Sequence, residues 1–140
     1  MPQDRPTAAD LLDVVAQFLE HQVIASTGGG LRFRARVAAN TLGIVAREIQ
    51  HGESHLRDEI RVLSGALGRP EPAASTLQNL TNRALLLNHE LCERIRAGAA
   101  DANPTRAQLI DRLRFVVESK LKVANPEYLE ADRKLRAGDT

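Results

Sequence analysis

Residues 31–49 read LRFRARVAANTLGIVAREI, and this stretch decides the fold class. Laid out at about 100° per residue, it gives a helix with two unlike surfaces. One broad face carries Phe33, Val37, Ala38, Thr41, Leu42, Ile44, Val45 and Ile49, and is expected to face a core. The opposite face carries Arg32, Arg36, Ala39, Asn40, Gly43, Ala46 and Arg47. Small residues let another backbone come close, and guanidinium groups pair with carboxylates or phosphates. A face made only for solvent would carry Glu, Lys and Gln instead. Arg32, Arg36, Asn40, Gly43 and Arg47 are therefore the candidate contact surface for a partner or an anion. Asn40 sits at the edge of the apolar arc and, if buried, needs partners for both its oxygen and its amide. A bond to a loop carbonyl within the bundle and a contact with a partner remain alternatives.

The same spacing continues on both sides of this stretch. Upstream, Thr7 with Asp10 three residues later resembles a capping box. Leu11, Leu12, Val15, Phe18 and Leu19 then recur at helical spacing, and Gly28-Gly29-Gly30 ends the region as a flexible turn. The helix of residues 31–49 closes near Gly52. A third helix over residues 53–67 places Leu56, Ile60, Leu63 and Leu67 on one stripe, with Gly68 and Pro70 as its stop. Residues 69–75 form a polar loop. A fourth helix starts at Ser75 or Thr76 and runs to about Arg96, with a near-heptad seam of Leu77, Leu80, Ala84, Leu87, Leu91 and Ile95. Asn103-Pro104-Thr105 opens a fifth helix carrying Leu109, Ile110, Leu113, Val116, Val117, Leu121 and Ala124. Pro126 ends it, since the residue before proline disfavours helix. The tail after Pro126 has room for one more helical turn or two, in which Tyr128 and Leu129 are expected to dock and the last residues to be loose. The predicted architecture is an all-α bundle of about five helices with short loops and a partly loose C-terminal tail. It is a single helical domain over residues 1–140, with an ordered core of about 5–129.

Composition supports this reading and excludes several function classes. Hydrophobic residues make up 43% of the 140, enough for one domain's core. With three Phe, one Tyr and no Trp, that core is aliphatic, and stacking platforms for single-stranded nucleic acid are missing. A net charge of +1 gives no global field for DNA, RNA or a membrane surface. Cys92 stands alone, which rules out a disulfide within the chain and suits a reducing compartment. The opening MPQDRPTAAD has no apolar signal core. No apolar run approaches the ~20 residues that span a bilayer. A soluble, cytoplasmic protein that binds neither nucleic acid nor membrane is expected.

Catalytic signals are poor. His51 and His55 are spaced i,i+4, but Gly52 lies between them and no HExxH arrangement exists. His89, Glu90 and Cys92 cluster in sequence; the plainer reading is a small buried cysteine beside a surface histidine. The triglycine lacks the GxxxxGK[ST] pattern of a phosphate loop, yet Arg32, Arg34 and Arg36 follow it closely enough to close over an anion. Asp58 and Glu59 are adjacent and so point in different directions on a helix, and Glu127 and Glu130 sit in the tail. Asn79, Asn82 and Asn88 spread over more than one face. No catalytic residue, cofactor site or metal site is assigned.

Arg5-Pro6-Thr7 with Asp10-Leu11-Leu12, Leu31-Arg32-Phe33 with the RVAAN of residues 36–40, and Val123-Ala124-Asn125-Pro126 with Tyr128-Leu129 resemble a bacterial family of small helical proteins of unknown function. The resemblance covers residues 5–129, and its two strings, RVAAN and VANPxYL, are specific together rather than singly. It implies a partner. Members are typically encoded beside aminoglycoside-phosphotransferase-like kinases and acyl-CoA dehydrogenases, and are similar to the small accessory subunit of the 4-hydroxyacyl-CoA kinase of levulinate catabolism. The expected function is thus a non-catalytic subunit supporting such a kinase. The arginine face would meet the partner, or CoA or nucleotide phosphates at the shared interface. A free-standing bundle holding an acyl or other small ligand, and a homo-oligomeric structural protein, are the alternatives.

Overall fold

The structure, a computed structural model, describes residues 5–71, 73, 76–102 and 104–138. Ser75 and Asn103, proposed above as helix openers, and the last two residues lie outside that set. The fold is all-α. α1 (Ala8–Phe18) runs through a π-helical turn (Leu19–Val23) into α2 (Ile24–Ser26). The π turn is marked by the Ile24 N–H donating to the Leu19 carbonyl, five residues back. There follow α3 (Gly29–Leu67), α4 (Leu77–Arg96), α5 (Thr105–Ala124) and α6 (Pro126–Gly138). With α1 to α2 counted as one continuous helix, the described residues form five helices joined by short connections.

Local chemistry explains most boundaries. Thr7 caps α1 through a true capping box: its hydroxyl accepts from the Asp10 N–H at 3.2 Å, and Asp10 accepts from the Thr7 N–H at 2.8 Å. The Thr7 backbone N–H, and after it the Thr7 hydroxyl, hold the Asp10 carboxyl below its ordinary range. Gly29, at φ +55°, makes the left-handed turn into α3 that side-chain-bearing residues resist. Gly68, at φ +64°, ends α3, and the Arg69 N–H returns to the Ser64 carbonyl at 2.9 Å. Thr76 caps α4. Asn125-Pro126 both stops α5 and starts α6. The Asn125 side chain accepts from the Tyr128 N–H at 3.1 Å while Pro126 fills the first helical position.

The expected break near Gly52 does not occur: α3 is one helix of 39 residues. A helical glycine costs only about 1 kcal/mol, and no proline lies between Gly29 and Leu67. The Glu53–Arg57 ion pair at 2.7 Å fastens the next turn. Contacts nonetheless divide the chain into two compact units, Met1–Gly52 and Glu53–Thr140, and the dividing point falls inside this continuous helix. The two are described separately below.

The second unit is organised as its sequence predicts. Ile60, Leu63 and Leu67 of α3 pack with Leu80, Ala84, Leu87 and Leu91 of α4, and Leu56, Leu109 and Leu113 close the cluster. Leu77 and Ile95, the ends of the α4 seam, stay exposed. α5 turns Val116, Ser119 and Val123 inward, leaving Ile110 and Val117 exposed. α6 packs on α5. Of the two expected anchors Leu129 is buried, whereas Tyr128 is exposed.

The first unit departs from the expectation in part. Among its described residues the fully buried positions are alanines: Ala9 and Ala16 on α1, and Ala35, Ala39 and Ala46 on α3. Of the face read above as core-facing, Phe33, Val37, Val45 and Ile49 are exposed while Leu42 and Ile44 are half-buried; on α1, Leu11, Val15 and Phe18 are exposed while Leu12 and Leu19 are half-buried. Both helices carry two apolar arcs, one small and one large. Spacings of i,i+4 and i,i+7 make the alanines a flat strip that another backbone can approach closely. The small-residue stripe that suggested a partner is thus covered by the chain itself, and the bulky stripe is left outside.

Candidate functional site

Three places bear on function, the first of them on α3 in the first unit. Arg32, Arg36 and Asn40 are exposed. Among the described residues none of the three makes a side-chain hydrogen bond or ion pair. Gly43 and Arg47 are half-buried, and the Arg47 guanidinium folds back over Gly43, so a Cβ built there would meet its Nη1 at 3.1 Å. Helical spacing keeps Arg36, Asn40 and Arg47 on one stripe, but only its N-terminal part is open. Of the small residues between them, Ala39 and Ala46 are buried. Asn40 is not the buried amide that would have needed two partners. Flanking this stripe is the exposed apolar arc of α3, on which Phe33 is 69% exposed. α1 presents a comparable arc of Leu11, Val14, Val15 and Phe18 opposite its alanines.

The second place is a buried charge in the second unit. Glu59 is 7% exposed. Its Oε1 accepts from Asn88 Nδ2 at 2.8 Å and from Lys120 Nζ at 2.8 Å, so one oxygen joins α3, α4 and α5. Asn88 also donates to the Ala84 carbonyl at 2.9 Å. Asp58 points elsewhere, as adjacency requires, and pairs with Arg61 at 2.6 Å. Asn79 and Asn82 lie exposed on α4. Spacing along the chain does not announce this triad, because Asn88 and Lys120 stand 29 and 61 positions from Glu59. A carboxylate with a neutral and a cationic donor is held and neutralised; the arrangement ties three helices in register.

The third is a groove of about 290 Å³ between the end of α3, the end of α4 and the start of α5. Leu91, Ile95 and Leu109 provide its apolar wall, and Arg94, Gln108 and Arg112 its polar one. Arg94 is engaged by Glu90 at 2.8 Å, and Glu90 is shared with Arg69 at 2.9 Å. Arg69, then Arg94, hold the Glu90 carboxyl below its ordinary range. Arg106 pins the α4–α5 connection beside the groove, donating to the carbonyls of Ala100 at 3.0 Å and Asp101 at 2.8 Å.

The remaining sequence candidates disperse. Cys92 is exposed rather than buried, since Leu91 takes the seam position and Cys92 follows it around the helix. His89 is exposed. Among the described residues no group of three or more His, Cys, Asp or Glu side chains is placed to hold a metal ion. Glu127 and Glu130 lie exposed on α6. No helix of the described residues is long and apolar enough to cross a membrane.

What these features define is a small all-helical protein without an obvious catalytic or metal-binding constellation. A family model described as a domain of unknown function, DUF6285, matches residues 25–128, and the chain belongs to that family. No curated protein and no solved structure matches it significantly.

Proposed function

We propose that this chain is a non-catalytic accessory subunit. It docks through its first unit on an aminoglycoside-phosphotransferase-like kinase acting on hydroxyacyl-CoA or a related hydroxy acid. The observation that carries the reading is the outward-facing bulk of α1 and α3: Leu11, Val14 and Phe18 on one, Phe33 and Val37 on the other. Exposed apolar arcs of this kind mark interaction surfaces. Arg32 and Arg36 beside them have guanidinium groups available for a partner's carboxylates or for CoA or nucleotide phosphates. The resemblance drawn from RVAAN and VANPxYL supports the kinase as that partner. Phosphoryl transfer needs a nucleotide cradle, metal-holding carboxylates and a positioned base, which in this reading belong to the kinase.

The test is co-expression with the kinase-like protein encoded nearest to this chain, tagging only one of the two. Stoichiometric copurification is the expected result. Arg36→Ala in that complex is expected to lower its rate on the order of tenfold or more through loss of a charge-assisted contact; an unchanged rate would remove the phosphate role. The same apolar arcs also suit a second copy of the chain. A lone protein that sediments as a dimer and fails to copurify would replace the kinase by self-association.

A further inference from the structure

We propose that the groove between α3, α4 and α5 is a binding site for a small amphipathic carboxylate, independent of any partner subunit. α5 supplies the polar side of this groove. Its inward stripe runs Val123, Ser119, Val116 and then, in the same helical register, Arg112, Gln108 and Thr105. The first three are buried core residues, whereas the last three line the groove. In this half of α5 the inward packing passes to Leu109 and Leu113, and the exposed Arg112, Gln108 and Thr105 run alongside them as the polar side of the groove. Across from it, α3 carries glycine at position 65, and a Cβ there would come within 3.3 Å of Arg112 Nη1. The bare glycine lets the guanidinium lie close against α3.

The charge balance selects the ligand's head. Arg94 is engaged by Glu90, which it shares with Arg69. Arg112 has no ion pair among the described residues. One uncommitted guanidinium, with Gln108 one helical turn away on the same side of the groove, matches a monoanion that accepts two parallel hydrogen bonds, which is a carboxylate. Leu91, Ile95 and Leu109 match an aliphatic body. The size follows from the volume: at about 30 Å³ per water-sized unit, 290 Å³ holds about ten heavy atoms. A saturated eight-carbon acid has that number.

The test is an amide NMR titration of the full chain with three probes. Octanoate carries head and tail, 1-octanol the tail alone, and inorganic phosphate the charge alone. Octanoate is expected to give saturable shifts at Gly65, Leu91 and Leu109, and to bind at least about tenfold more tightly than either other probe, the value of one charge-assisted contact. Arg112→Ala should reduce octanoate to the level of octanol, with partial recovery in Arg112→Lys. Gly65→Ala, which favours the helix while crowding Arg112, should also weaken octanoate, and it guards against an unfolded Arg112 variant. Octanol binding as well as octanoate, phosphate binding as tightly, shifts elsewhere in the chain, or indifference to both substitutions would each overturn the assignment.

Discussion

Replacing Phe33 with alanine separates a docking residue from a core residue. Phe33 is 69% exposed. A phenylalanine side chain offers on the order of 200 Å², so roughly 60 Å² is covered by the chain and roughly 140 Å² is left for a partner. At about 25 cal/mol per Å², the covered part contributes about 1.5 kcal/mol to the fold, and alanine's better helix propensity returns a few tenths of that. The isolated chain should therefore lose about 1 kcal/mol. Docking loses more. Allowing for the area alanine retains, the deficit is about 2–3 kcal/mol, or roughly 30- to 150-fold in Kd. Urea unfolding followed by circular dichroism reads the first number, and calorimetry against the purified kinase-like protein reads the second. Leu87→Ala is the internal standard. Leu87 is 1% exposed in the second unit's core, and its truncation should cost about 2–5 kcal/mol. If Phe33→Ala destabilises the lone chain as much as Leu87→Ala, Phe33 is a core residue. If affinity for the partner is untouched, the exposed arc is not the docking surface.

Asn88→Ala removes one of two donors from the buried Glu59 carboxylate, and should cost about 1–3 kcal/mol of unfolding free energy in urea; a change under about 0.5 kcal/mol would show that Lys120 and solvent satisfy Glu59 without it. Glu90 has a folded-state pKa below its ordinary value of 4.5. The stability from its contacts with Arg69 and Arg94 is therefore complete above that value and lost as pH falls through the lower folded value. Glu90→Gln should make the acid limb of a melting-temperature profile shallower, and an unchanged limb would count against the pairing. Gly52→Ala should raise stability by up to about 1 kcal/mol, because the helix is continuous there and the Glu48 carboxylate over position 52 is the movable end of an exposed side chain. A loss of helical signal in that variant would contradict the uninterrupted α3.

The second unit was largely legible in its sequence. Ile60, Leu63 and Leu67 at helical spacing, the α4 seam and the Gly68 stop are local patterns, and local patterns survive folding when one face is plainly more apolar. The first unit was not, because α1 and α3 each offer two apolar arcs. Choosing between alanine and Phe33 requires knowing what stands opposite, which periodicity does not encode. Gly52 misled because a glycine is a weak penalty unless a proline or cap accompanies it. Asn125-Pro126 is a stop when scanned from α5 and a cap with a first-turn proline when scanned from α6, so the extra turns allowed after it extend to a helix of 13 residues. Of the proposed contact residues, Arg32, Arg36 and Asn40 lie open, whereas Gly43 and Arg47 partly close on each other. The Glu59 triad and the Arg112–Gly65 pairing join residues far apart in the chain, and single-sequence spacing carries no trace of either.

The alanine strip of the first unit has an evolutionary corollary. A core of leucines is vulnerable to losing volume, whereas a seam of alanines is vulnerable to gaining it. In a saturation mutagenesis screen, positions 9, 16, 35, 39 and 46 should reject every larger side chain, polar or apolar, and tolerate glycine and serine best. Positions 63, 80 and 87 should accept other bulky aliphatics and reject small ones. Two halves of one short polypeptide would then drift under opposite rules, one policing size from above and the other from below.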